Sequence, residues 1–72
     1  MKILFETGSV RKARVVQDDS RHPVYDLFVD VYEDGQWIWR HRFDSDMEGS
    51  LAWAKTYAHQ FAQVKKSAII TM

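Results

Sequence analysis

Cysteine is absent from this chain of 72 residues, proline occurs once and glycine three times. Without thiols there is no disulfide framework and no thiolate metal site. So little Gly and Pro, with 46% hydrophobic and 14% aromatic residues, excludes a disordered or low-complexity chain. Net charge is missing too, because 10 Lys+Arg cancel 10 Asp+Glu. That disfavours both a strongly basic nucleic-acid binder and a wholly acidic mimic of DNA. No apolar run approaches the ~20 residues that span a bilayer. Met1 to Glu6 is too short for the apolar region of a signal peptide, and Ser67 to Met72 matches no lipidation signal. A soluble, cytoplasmic protein with no membrane contact is the expectation. The length fits one small domain, 1–72, with a core near the lower limit for folding unaided.

What is present is segregated. Lys2, Arg11, Lys12 and Arg14 outnumber Glu6 in the first quarter. Asp18, Asp19, Asp26, Asp30, Glu33 and Asp34 then outnumber Arg21. Residues 2–6 and 10–17 read as two strands around Thr7-Gly8-Ser9. If those three residues are the loop, Ile3 faces Ala13 and Phe5 faces Arg11. Ile3, Phe5, Ala13 and Val15 then share one face, with Lys2, Lys12 and Arg14 on the other. The register, and the side that meets the helix, stay open. Gln17 to Pro23 is loop chemistry.

A second hairpin runs from Val24 to Tyr32 and from Gln36 to Phe43, and two registers compete. A two-residue Asp34-Gly35 loop pairs Tyr32 with Trp37 and Asp30 with Trp39. It thereby puts Asp26 and Asp30 among the rings of Trp37, Trp39 and Phe43. A three-residue loop with Gly35 as a bulge pairs Val31 with Trp37 and Val29 with Trp39. One face then carries Tyr25, Leu27, Val29, Val31, Trp37, Trp39, His41 and Phe43. The other carries Asp26, Phe28, Asp30, Tyr32, Ile38, Arg40 and Arg42, with Asp26 opposite Arg42 and Asp30 diagonal to Arg40. An unpaired Asp among tryptophans costs more than a cross-strand ion pair contributes, so the three-residue loop is expected.

After Phe43 the period becomes helical. Met47, Leu51, Ala54, Ala58 and Phe61 recur at helical spacing, widened by Tyr57 and Val64, over a helix from about 47 to 65. Ser45 and Glu48 have capping-box spacing, while Gly49 sits awkwardly in the first turn. The expected fold is α+β: an antiparallel four-stranded meander of two hairpins with one long helix on one face. Residues 67–72 could add a short fifth strand.

Few patterns carry chemistry. Asp44-Ser45-Asp46-Met47-Glu48-Gly49 starts like a calcium loop, but Lys55 stands where the bidentate carboxylate belongs and a strand precedes it. The histidines, His22, His41 and His59, lack metal-ligand spacing. His41, between Trp39 and Phe43, reads as a partly buried side chain. No serine sits in a nucleophile elbow, and no glycine-rich phosphate loop exists. No catalytic residue, cofactor or metal site is expected, and the chain reads as a non-enzyme.

The outer sheet face is the candidate site. Phe28 and Tyr32 alternate with Arg40 and Arg42, a mixture suited to a protein hot spot or to nucleic acid. Aspartates among the arginines repel phosphate and favour protein. Arg11, Lys12 and Arg14 on the first hairpin, and the acidic pair Asp18 and Asp19, complete the candidate partner-binding residues. Trp53 and Tyr57, at the margin of the helical stripe, read as core edge.

The run Gly35 to Ser45, Gly-x-x-Ile-x-Arg-x-x-Phe-Asp-Ser, followed by a helix carrying Trp53, resembles part of a family of small phage anti-CRISPR proteins. The resemblance implies an antiparallel sheet with helices, and non-catalytic inhibition by binding to a type I CRISPR surveillance complex. It transfers no site residues. The leading expectation is therefore a protein-binding module, a candidate phage or mobile-element inhibitor of a bacterial defence complex. The alternatives are a small nucleic-acid-binding protein and a homodimeric assembly protein.

Overall fold

The computed structural model describes residues 1–63. Strands β1 (Lys2–Gly8), β2 (Lys12–Gln17), β3 (Leu27–Glu33) and β4 (Gln36–Phe43) precede the helix α1 (Ser50–Gln63). The strands form one antiparallel sheet in the order β1-β2-β3-β4, with the helix packed on one face. This is the expected α+β meander. Val64 and the expected fifth strand over 67–72 lie outside the described residues.

The second hairpin turns on two residues, not three. Asp34 and Gly35 have φ of 53° and 82°. Successive positive φ values are the type I′ turn, whose twist matches that of the strands and which favours Asp-Gly. Glu33 therefore faces Gln36, Tyr32 faces Trp37 and Asp30 faces Trp39. A bulge at Arg40 then shifts the register, so that Val29 faces His41 and Phe28 faces Arg42. This corrects the three-residue loop and its faces. Trp37 and Trp39 lie away from the helix, and Ile38 turns towards it. Past the bulge, His41 and Phe43 return to the helix side. Asp26 is not opposite Arg42, and Arg40 reaches Glu33 rather than Asp30.

Within the hairpin alone, this register leaves Asp30 unpaired among the rings. Asp30 is indeed 1% exposed, but it is not unpaired. Arg14, its cross-strand neighbour on β2, donates from Nε at 3.1 Å, and Arg21 donates from Nη1 at 2.7 Å. Arg21 comes from the β2–β3 loop, which folds back over the sheet. The carboxylate thus sits inside a two-arginine clamp, and the desolvation cost is offset locally.

A bulge also resets the first hairpin. Ile3 faces Val16 and Phe5 faces Val15, leaving Leu4 as the extra residue. Ile3 therefore parts from Phe5, Ala13 and Val15, and it is these three that face the helix. The core is built from small side chains. Ala54, Ala58 and Ala62 form an i, i+4 stripe that is at most 1% exposed and rests on Ala13, Val15, Val29 and Val31. Alanines let the helix axis approach the sheet closely, and Phe5, Phe43, Tyr57 and Phe61 close the margins.

The helix starts later than its periodicity suggests. Gly49, with φ of +80°, is the cap: its carbonyl accepts the first helical bond, from the N–H of Trp53 at 3.0 Å. Ser45 does not form the expected capping box. Its N–H and hydroxyl donate to Asp26 instead, at 2.8 and 2.6 Å. Met47 thus precedes the helix and is 66% exposed, and Leu51 is 40% exposed. Neither belongs to the buried stripe. At the far end the β1–β2 loop caps the helix. The N–H groups of Val10 and Arg11 donate to the carbonyl of Ala62, at 2.9 and 3.1 Å.

Candidate functional site

The outer sheet face holds a second, smaller packed layer. Val16 and Phe28 face each other there and are fully buried. Trp39 packs edge-on against Phe28 at 4.5 Å, and the Arg21 guanidinium lies 5.1 Å from the Phe28 ring centre. Arg14 lies 4.1 Å from the centre of Trp37, which in turn packs against Tyr32. Rings and guanidinium planes therefore satisfy one another within the chain.

This placement redistributes the expected partner-binding residues. Phe28 is buried, and Tyr32 is 42% exposed at the hairpin end. Arg14 is held by Asp30. Arg11 donates to Glu33 at 2.9 Å and to the carbonyl of Phe61 at 3.1 Å. Arg40 closes on the other oxygen of Glu33, at 3.0 Å from Nε. Glu33 is 4% exposed, so it forms a second clamp between two arginines. Four of the five arginines are therefore spent on internal carboxylates. Arg42 is exposed and stacks on Tyr25 at 5.0 Å. Lys12 is exposed at the end of β2. β3 separates β2 from β4, and Arg11 and Arg40 meet on the carboxylate of Glu33.

The acidic loop is built rather than loose. Asp18 accepts the hydroxyl and N–H of Ser20, at 2.6 and 3.1 Å, and these hold its carboxyl below the ordinary range. It also pairs with Arg21 at 3.3 Å. The bond to Asp30 raises the Arg21 pKa above its usual value. Asp26 is lowered in the same way, first by the Ser45 hydroxyl, then by the Ser45 N–H and by Gln17. Asp26 thereby ties the β2–β3 loop to the β4–α1 connection. Asp19 remains exposed.

That junction opens a surface no motif pointed to. Residues of both connections, the end of β4 and the first helical turn line a groove of about 570 Å³. Three large apolar side chains stand out around it: Val24 at 63% exposure, Met47 at 66% and Trp53 at 60%. Tyr25, His41 and Phe43 form the inner wall. Trp53 is thus a surface residue and not core edge. The groove follows from the late helix start, because Gly49 places Trp53 on the first turn and leaves Met47 in the connection. The visible signal was apolar Val24 and Met47 inside segments otherwise made of turn residues.

The histidines are separated. His22 Nδ1 accepts the N–H groups of Val24 and Tyr25, at 3.0 and 3.3 Å. His41 stacks on Phe43 at 4.7 Å and lies 4.5 Å from Tyr57. His59 packs edge-on against Phe5 at 5.2 Å. Among the described residues no group of three or more His, Cys, Asp or Glu side chains could hold a metal ion. Among them, no helix is long and apolar enough to cross a membrane. Comparison with protein-family models, with curated proteins and with solved structures finds no match.

Proposed function

We propose that this chain is a non-enzymatic protein-binding module that docks its partner in the groove around Trp53. The observation that carries the reading is the adjacency of Val24, Met47 and Trp53, each more than half exposed around one concavity. Single exposed apolar residues are ordinary, but a contiguous apolar patch rimmed by polar groups marks an interaction surface. Tryptophan is among the residues enriched at the hot spots of such surfaces. The nucleic-acid reading loses support, because Arg40 is committed to Glu33 and Phe28 is buried, although Arg42 and Tyr32 are exposed. The resemblance of Gly35 to Ser45 to anti-CRISPR proteins suggests the partner class, a type I surveillance complex inhibited by occupancy.

The test compares the wild type with Trp53→Ala and Met47→Ser for binding to purified type I complexes by interferometry. Truncating a hot-spot tryptophan costs about 2 kcal/mol or more, so Kd should rise roughly 30-fold. Tyr32→Ala, on the opposite face, should leave Kd unchanged. Equal affinity of the wild type and the Trp53→Ala variant would remove the groove from the interface. Failure of every complex to bind would remove the inhibitor assignment. A mass near twice 8.5 kDa in light scattering would instead favour self-assembly.

A further inference from the structure

We propose that the groove takes a basic, amphipathic segment of the partner. An apolar stripe of that segment would cover Val24, Met47 and Trp53, with flanking lysines or arginines meeting Asp44, Asp46 and Glu48. This rests on the reading of the groove as a protein-docking surface and adds the chemistry of the occupant.

Charge placement around the groove favours this occupant. In the meander, the β2–β3 loop and the β4–α1 connection lie at the same end of the sheet, and Ser45 bonds directly to Asp26 there. That end collects six carboxylates: Asp18, Asp19, Asp26, Asp44, Asp46 and Glu48. Two are satisfied internally, Asp18 by Ser20 and Arg21 and Asp26 by Ser45 and Gln17. Asp19, Asp44, Asp46 and Glu48 have no ion pair among the described residues. Asp44 and Glu48 line the groove itself, and Asp46 is exposed between them beside Met47.

Met1 and Lys2 lie beside Asp18, Asp19 and Asp26 in a separate pocket, so the negative charge at the groove is that of Asp44, Asp46 and Glu48. Arg21 is bound to Asp30, and Arg42 stands alone against Tyr25 on one wall. The arginine clamps thus have a second consequence. By drawing Arg21 onto Asp30, the clamp takes that cation from the β2–β3 loop, and Arg11 and Arg40 are held on Glu33 at the other end of the sheet, while the whole chain stays neutral. An apolar groove with an acidic collar complements a segment with an apolar stripe and basic margins, and repels an acidic one.

The test uses two synthetic amphipathic helical peptides free of tryptophan. They share one leucine stripe, and their polar faces are lysine in one and glutamate in the other. Binding to the full chain is followed by amide and indole NMR shifts and by Trp53 fluorescence. The lysine peptide should shift Val24, Met47 and the Trp53 indole, and bind about tenfold more tightly than the glutamate peptide. That preference should fade between about 50 mM and about 300 mM salt. Asp46→Lys with Glu48→Lys should reverse it while amide dispersion stays native, and Trp53→Ala should weaken both peptides.

Equal binding of both peptides in the groove overturns the basic partner and leaves the docking reading intact. No shift at the groove with either peptide overturns both. Groove shifts that follow protein dilution without any peptide identify a second copy of the chain as the occupant and overturn the basic partner.

Discussion

Arg14 and Asp30 face each other across β2 and β3, with Arg14 Nε 3.1 Å from Asp30 Oδ2, while the same guanidinium covers Trp37 at 4.1 Å. The side chains are 11% and 1% exposed, so neither charge relies on water for its partner. Arg21 closes the other side of the carboxylate. Asp30→Ala leaves two arginines facing an empty site, and stability should fall by about 3–5 kcal/mol. Urea unfolding measures it. Replacing the whole clamp with Arg14→Met, Asp30→Leu and Arg21→Met should recover most of that loss, since a buried triad replaced by apolar groups is often neutral. A mild Asp30→Ala effect would show that the clamp does not hold the outer face together.

The clamp also explains which parts of the fold were legible. Two hairpins and a helix were readable because their periods differ, and Asp34-Gly35 is plain turn chemistry. The register was not. Reasoning within the hairpin offers Asp30 a partner, Arg40, in the three-residue register alone, whereas its partners come from β2 and from a loop that folds back over the sheet. The bulges at Leu4 and Arg40 leave no sequence mark either, so the first register stays open in the sequence and Ile38 is expected on the wrong face. In the helix, Ala54 and Ala58 were read correctly as buried. Met47 and Leu51 fitted the same period, but Gly49 interrupts it by taking a positive φ. The groove around Trp53 exists only once these tertiary choices are made.

Acid should probe the Asp26 tie. Hydrogen bonds from Ser45 and Gln17 lower the Asp26 pKa from its ordinary 3.8. A carboxyl depressed in the folded state contributes stability that is full above its unfolded pKa and is lost as pH falls through the folded one. Ser45→Ala should therefore lower Tm at pH 7, and the gap to the wild type should narrow as pH falls below 3.8. Thermal melts by circular dichroism at a series of pH values check this. A gap independent of pH would mean that Ser45 acts without the Asp26 charge.

Two glycines should respond in opposite ways to the same change. Gly35 has φ of +82°, and a side chain there is strained although no atom lies within 4 Å of its Cβ position. Gly35→Ala should cost about 1–2 kcal/mol through backbone strain alone. At Gly8 the added Cβ meets Lys12 Cγ at 3.6 Å, an ordinary contact. Gly8→Ala should be neutral or stabilising by up to about 1 kcal/mol, because it restricts the unfolded chain. Paired denaturation curves decide it, and equal destabilisation at both positions would contradict the type I′ turn.

The helix offers the sharpest contrast between fold and function, because its two sides are so unequally used. Ala58 is fully buried on Val15, Val29 and neighbouring side chains, while Trp53 is 60% exposed on the first turn. Ala58→Leu forces extra carbons between helix and sheet and should cost about 1–3 kcal/mol. Trp53→Ala removes a far larger side chain and yet should change stability by only about 0.5 kcal/mol, as for other surface sites. Unfolding curves of the two variants, set beside their partner affinities, should therefore move in opposite order. A large stability loss on Trp53→Ala would assign that ring to the core and withdraw it as the centre of a docking surface.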